Sequence, residues 1–127
     1  MLNKINESYE DYLKAIYIIS KKNRGGWVSN SEISNLLQVK PSSVTDMLHK
    51  LREKDLINWK PRNSIRLTVI GKEIAKNIFK RYNLLKEFFT NVLKLKENSK
   101  LEDLCCKIEH HVTSEVTTAL ENFGVLD

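Results

Sequence analysis

Only two cysteines occur in the 127 residues, and they are neighbours, Cys105 and Cys106. Adjacent residues bridge only in strained geometry, which excludes a disulfide framework and predicts reduced thiols in a reducing compartment. Long hydrophobic runs are missing as well. No stretch approaches the roughly 18 uninterrupted apolar residues that a membrane span needs, so no membrane partner is expected. The opening Met1-Leu2-Asn3-Lys4-Ile5-Asn6-Glu7 lacks the apolar core of a signal peptide, which makes the cytoplasm the expected compartment. Repeats and low-complexity tracts are absent. There is no His-Glu-x-x-His or comparable ligand-plus-base pattern, and no serine, cysteine and histidine set that would mark a nucleophile. The chain therefore reads as a non-enzyme with no small organic substrate.

What is present is an ordinary soluble composition, 41% apolar and 29% charged, in a length that suits one domain or two small ones. The net charge of +5 is unevenly spread. Residues 1–70 carry 12 Lys and Arg against 7 Asp and Glu, and residues 71–127 carry 9 against 9. A basic front and a neutral rear suit a protein whose first half faces phosphates.

Apolar residues at helical spacing, Tyr9, Tyr12, Leu13, Ile16, Tyr17 and Ile19, predict a first helix from about Asn6 to Lys22, ended by Asn23-Arg24-Gly25-Gly26. Ser29 and Glu32 form a capping box, with Val28 placed to staple onto Ile33, and open a second helix that stops near Val39. Pro41 suits the first turn of a third, whose buried stripe is Val44, Met47, Leu48 and Leu51. Leu56–Lys60 and Ser64–Thr68 read as strands of a hairpin with the basic tip Pro61-Arg62-Asn63. Thr68 can cap a long helix running through Leu93, which at about 1.5 Å per residue spans more than 30 Å and serves as a linker into a second helical region. Ser99 and Glu102 form another capping box, opening a helix to about His111. Thr113 to Phe123 makes one more.

Helix, tight turn, helix and basic hairpin give the layout of a winged helix-turn-helix. The fold class is mainly α: a winged helix-turn-helix over residues 1–71, joined by the long helix to an all-helical domain over residues 72–127. In that arrangement the third helix enters the major groove of double-stranded DNA. Pro41, Ser42, Ser43 and Thr45 would face base edges or phosphates, and Lys50, Arg52, Lys60, Arg62 and Arg66 suit phosphates. Asp46 is acidic on this face. It either pairs with Lys50 one turn on or accepts from a cytosine amino group.

In the second half, Cys106, Glu109 and His110 fall at i, i+3 and i+4, on one face of a helix. A thiolate, a carboxylate and an imidazole on one patch can hold a divalent transition ion once a fourth group arrives. Taken singly, each has a plainer reading: a small buried cysteine, a solvated glutamate, a satisfied histidine. Cys105 reads as a small buried residue.

The chain resembles the diphtheria toxin repressor and manganese transport regulator family of metal-dependent repressors over nearly its whole length. The resemblance lies in Glu10-Asp11-Tyr12-Leu13, Val39-Lys40-Pro41-Ser42-Ser43-Val44-Thr45, Leu67-Thr68-Val69-Ile70-Gly71-Lys72 and Cys106-Lys107-Ile108-Glu109-His110-His111. It implies a homodimer held by the C-terminal helices, with winged helices on a palindromic operator and a metal ion shared between the halves. It implies Asp11, Cys106, Glu109 and His110 as the ligands, and repression of metal-uptake or homeostasis genes. A chain ending at Asp127 looks like the short type that lacks a third, SH3-like domain.

Two positions depart from the family pattern. Tyr82 stands where the long helix usually supplies a histidine, and Lys14 where a second acidic ligand follows Asp11. Both turn the expectation from two ions to one, with Tyr82 and Glu102 as further candidate ligands. Weakened metal control, and a rearranged site using Glu102, Glu10 or His111, stay open. The cysteine favours iron(II), with manganese(II) next and zinc(II) or cobalt(II) compatible. The rival reading is a winged-helix regulator that has lost metal control and answers a small molecule or oxidation of Cys105 and Cys106.

Overall fold

The computed structural model describes residues 7–60 and 64–124. The chain forms two compact units, Met1–Lys76 and Asn77–Asp127. In the first, α1 (Glu7–Lys22) buries Tyr12, Leu13, Ala15, Ile16 and Ile19, the stripe predicted from periodicity. Asn6 and the hairpin tip at residues 61–63, with Arg62, lie outside the described residues.

A tight turn at Arg24–Gly26 leads to α2 (Asn30–Leu37). The capping box forms as expected: Ser29 Oγ accepts from the Glu32 amide, and Glu32 answers on the Ser29 amide. Asn23 Nδ2 also donates to the Glu32 carboxylate, and these donors outweigh desolvation and hold its pKa below the usual value. The helix ends at Leu37 rather than Val39, because Gln38 takes a left-handed conformation with φ 58°.

Helix α3 (Pro41–Glu53) starts on proline and buries Val44, Met47, Leu48 and Leu51. Strands β1 (Ile57–Lys60) and β2 (Ser64–Leu67) pair antiparallel, with Ile57 opposite Leu67. Val28 adds a third edge by exchanging backbone hydrogen bonds of 2.9 Å with Ile65. One core unites α1, α2, α3 and the sheet, with Leu13, Ile16, Ile33, Leu48, Leu51 and Ile65 wholly buried.

Thr68 caps α4 (Val69–Glu87), accepting from the Gly71 amide at 3.0 Å while donating to the Asp55 carbonyl. The helix does not run regularly to Leu93. At Phe88–Val92 the Leu93 amide reaches back five residues to the Phe88 carbonyl, a widened turn in which Thr90 Oγ1 competes for the Lys86 carbonyl.

Beyond it, α5 (Ser99–Ile108) is capped by Asn98, whose side chain accepts from the Leu101 amide at 3.0 Å. The expected Ser99–Glu102 box is therefore displaced by one residue, since asparagine serves as a cap at least as well as serine. Helix α6 (Ser114–Phe123) is capped by Thr113 and closed by Gly124. The core of this unit gathers Leu85, Leu101 and Cys105, with Tyr82, Phe89, Ile108, Val112 and Leu120 against them. No helix among the described residues is long and apolar enough to cross a membrane.

Candidate metal centre and nucleic-acid interface

The recognition surface is built on α3. Burying Val44, Met47, Leu48 and Leu51 leaves Pro41, Ser42, Ser43, Asp46 and Lys50 exposed. Thr45 is half-buried and its hydroxyl is engaged, donating to the Pro41 carbonyl at 3.1 Å and accepting from Asn30 Nδ2 at 3.0 Å. Asn30 itself is buried at the start of α2, so it fixes the amino ends of the two helices to one another. Sequence reading passed over Asn30 because nothing local marks a polar residue whose partner lies fifteen positions on. The Asp46–Lys50 ion pair does not form among the described residues. Both side chains line a cavity of about 440 Å³ together with Ser43 and Asp11. Asp11, half-buried on α1, thus opens onto the side of α3 that carries Ser43, Asp46 and Lys50.

The cations at the end of α3 and in the hairpin rest on two tryptophans. The Arg52 guanidinium lies 4.8 Å from the Trp59 ring centre, and Arg52 Nη2 sits 3.1 Å from His49 Nδ1. Lys60 lies 5.5 Å and Arg66 4.3 Å from the centre of the Trp27 ring, and Arg66 donates to the Gly25 carbonyl. Stacking on an indole removes rotamer freedom from a long side chain before any phosphate is met. Trp27 and Trp59 thus support these cations, which the basic positions alone did not reveal. Trp59 is signalled only by its place beside Lys60, and Trp27 by nothing local, since Arg66 lies 39 positions on.

The candidate donors of the second unit sit where α5 gives way to a tighter turn. Cys106 is on α5, while Glu109 and His110 belong to the turn Glu109–His111, in which the Val112 amide reaches back three residues to the Glu109 carbonyl. The expected continuous helical patch to His111 is therefore broken at Ile108. At three residues per turn rather than 3.6, the side chains shift out of the helical register. Glu109 is 0% exposed, and Cys106 and His110 are half-buried. Arg81 Nε on α4 donates to the Glu109 carbonyl at 2.9 Å, fixing the turn from the facing helix. Glu102 is exposed. Among the described residues no group of three or more His, Cys, Asp and Glu side chains stands close enough together to hold a metal ion.

Tyr82 lies within electrostatic reach of Cys106, Glu102, Cys105 and Glu109. Burial, then the charges of Cys106 and Glu102, push its pKa up to about 12, and Lys86 lies 5.6 Å from its ring centre. At neutral pH Tyr82 is a phenol able to donate a hydrogen bond. Burial likewise pushes the Cys105 thiol up, with Cys106 adding to the effect, so Cys105 is a poor thiolate and a poor oxidant sensor. Because the folded pKa of Tyr82 lies above the ordinary 10.0, its contribution to stability is complete below pH 10 and is lost as pH rises toward 12. An ultraviolet titration should show late-ionising tyrosine absorbance, and Tyr82→Phe should remove its latest part and flatten alkaline unfolding over that window. An unchanged titration curve in the variant would refute the assignment.

The donor set is chemically suited to a divalent transition ion: one sulfur, one carboxylate, one imidazole, with the carboxylate sequestered from water. Comparison with known proteins is consistent in both units. Residues 4–65 match the model of the iron dependent repressor N-terminal DNA binding domain, and residues 68–124 match that of the iron dependent repressor metal binding and dimerisation domain. An uncharacterized HTH-type transcriptional regulator of Methanocaldococcus jannaschii is 36% identical over 119 residues, 94% of each chain. The HTH-type transcriptional regulator MntR of Shouchella clausii is 33% identical over 119 residues, 94% of this chain and 78% of the relative. The crystal structure of T. acidophilum IdeR superposes with a TM-score of 0.76 at 26% identity, over 97% of this chain but 56% of that one. The present chain therefore spans little more than half the length of that solved relative. With both of its units matched in order, the chain belongs to the iron dependent repressor family of metal-responsive, DNA-binding transcriptional regulators.

Proposed function

We propose that this chain, as a homodimer, represses genes of metal-ion uptake or homeostasis by binding a palindromic operator when loaded with a divalent transition ion. Cys106, Glu109 and His110 are the donors of the second unit, and Asp11 adds a carboxylate from the first. The observation that carries the reading is Glu109, a wholly buried carboxylate on the same short turn as an imidazole and one turn from a thiol. Its Oε1 atom is buried with no hydrogen-bond partner among the described residues, and a divalent ion is one group that such an oxygen can bind. The cysteine makes iron(II) the favoured ion, with manganese(II) next and zinc(II) or cobalt(II) compatible.

Within the first unit, Asp11 shares its cavity with Ser43, Asp46 and Lys50 of α3. Neutralising Asp11 changes the field at Ser43, Asp46 and Lys50, which supports a coupling between metal occupancy and DNA affinity. Ser42, Ser43 and Lys50 meet the DNA from α3, while Arg52, Lys60 and Arg66, set on their tryptophans, serve the phosphates, as does Arg62.

Fluorescence anisotropy on a duplex selected from a random pool tests this, with chelator or with iron(II), manganese(II) or zinc(II). Wild type should bind about 5–150-fold more tightly with its cognate ion, in line with allosteric couplings of about 1–3 kcal/mol, and Cys106→Ala should lose most of that gain. Equal affinity in every condition would sink the metal reading and leave the DNA-binding one standing. Raising salt should weaken binding steeply, since each phosphate contact releases counterions.

A further inference from the structure

We infer that the first unit carries an anion site, separate from the recognition helix, that takes a small phosphate-chain ligand of the pyrophosphate type. The site is a cavity of about 640 Å³ at the α4 end of β2. Four of its lining side chains are cationic, Lys21, Arg66, Lys72 and Lys76, and none is acidic. No residue of α2 or α3 lines it.

Three features distinguish this from a solvated basic surface. The first is convergence from three elements. Lys21 comes from the end of α1, Arg66 from β2, and Lys72 and Lys76 from consecutive turns of α4, so the charges meet by tertiary folding rather than along one helix face. The second is that these charges are not neutralised. None of the three lysines makes an ion pair among the described residues, and Lys72 and Lys76 repel one another at i, i+4 spacing. The third is preorganisation. Arg66 is stacked 4.3 Å from the Trp27 ring centre and donates to the Gly25 carbonyl, so one wall of the cavity is set before a ligand arrives.

Gly25 and Gly26 make that wall possible. Both have positive φ, 78° and 77°, a conformation that other residues rarely take, and they turn the chain so that the Gly25 carbonyl meets Arg66. Four cations around one cavity call for a ligand with several negative oxygens. A phosphate chain presents these compactly and accepts charge-assisted hydrogen bonds from guanidinium and ammonium groups alike. Pairing of Val28 with Ile65 carries Gly25 and Gly26 toward Leu67 and the start of α4. The ligand therefore approaches from that end of the sheet rather than along α3.

The test is thermal unfolding of the full chain in EDTA, with sodium pyrophosphate titrated against sodium chloride at matched ionic strength. Wild type should gain about 5 °C at saturating pyrophosphate, because a ligand that binds only the folded state stabilises it. Lys72→Gln combined with Lys76→Gln should abolish the gain. Both side chains are exposed, and the ligand-free double variant should melt at or above the wild-type temperature, as relief of repulsion requires. An equal gain in chloride, or an undiminished pyrophosphate gain in the double variant, would overturn the assignment. So would a tenfold loss of duplex affinity in the double variant, which would give the cavity to the DNA backbone instead.

Discussion

Gly71→Ala is expected to lower the melting temperature by about 10 °C, although helix propensity alone predicts the opposite sign. Gly71 is the third residue of α4, and alanine is better than glycine inside a helix by about 0.5–1 kcal/mol. The close approach of two backbones decides the outcome. A Cβ at Gly71 would lie 2.1 Å from the Leu56 carbonyl oxygen and 3.1 Å from its carbon, with Leu67 Cδ2 at 3.4 Å. The obstacle is main chain, not the end of a flexible side chain. That same Leu56 carbonyl accepts from the Thr68 amide at 3.0 Å, and the Leu56 amide is bound to Leu51. Relieving the clash therefore moves the start of α4 and the entry to β1 together. Overpacking of this kind costs about 3 kcal/mol, and at several degrees per kcal/mol the expected shift follows. Circular dichroism melts check it, with Glu73→Ala as the exposed neighbour on the same helix. A melting temperature equal to or above wild type would mean that the Leu56–Gly71 contact does not constrain the fold.

Gly71 also shows where sequence reading stops. The helices of the first unit were legible because their stripes repeat at helical spacing and their ends carry local chemistry: Ser29 with Glu32, Pro41, Thr68. Such signals act over three or four residues, the range across which a side chain reaches its own backbone. What escaped depends on distant partners. Asn30 looks like any polar residue until Thr45 arrives against it, and nothing in the sequence shows that Trp27 and the Gly25 carbonyl hold Arg66 in place. Asn98 and Ser99 are both good caps, and only the geometry of the loop chooses between them. The break after Glu87 follows from a carbonyl shared with Thr90, which a hydrophobic stripe running unbroken to Leu93 conceals. At the candidate metal site the sequence offers donor types and an order as expectations, and the inward turn of Glu109 was not legible in it. Spacing on a regular helix would have left it beside Cys106 on a half-exposed face, and the tighter turn instead buries it completely.

That burial makes Glu109→Gln the sharper functional variant. It should raise the metal concentration needed for tight DNA binding by at least about 100-fold, since even groups that only support a ligand contribute 10–100-fold. The substitution keeps shape and the backbone hydrogen bond from Arg81, because that bond ends on the Glu109 carbonyl. It also keeps the volume of a wholly buried side chain, and a melt of the metal-free protein checks that the fold tolerates the change. Tyr82 supplies an internal control. Its pKa of about 12 owes most to burial and a smaller part to neighbouring charges, Glu109 among them, so glutamine should draw its titration down without returning it to 10.0. A shifted Tyr82 titration with unchanged metal dependence would show that the charge had gone and that no ion had needed it, removing Glu109 from the ligand set. Loss of metal dependence with the shifted titration would place the carboxylate in both roles: the field around Tyr82 when the ion is absent, and a ligand when it is bound.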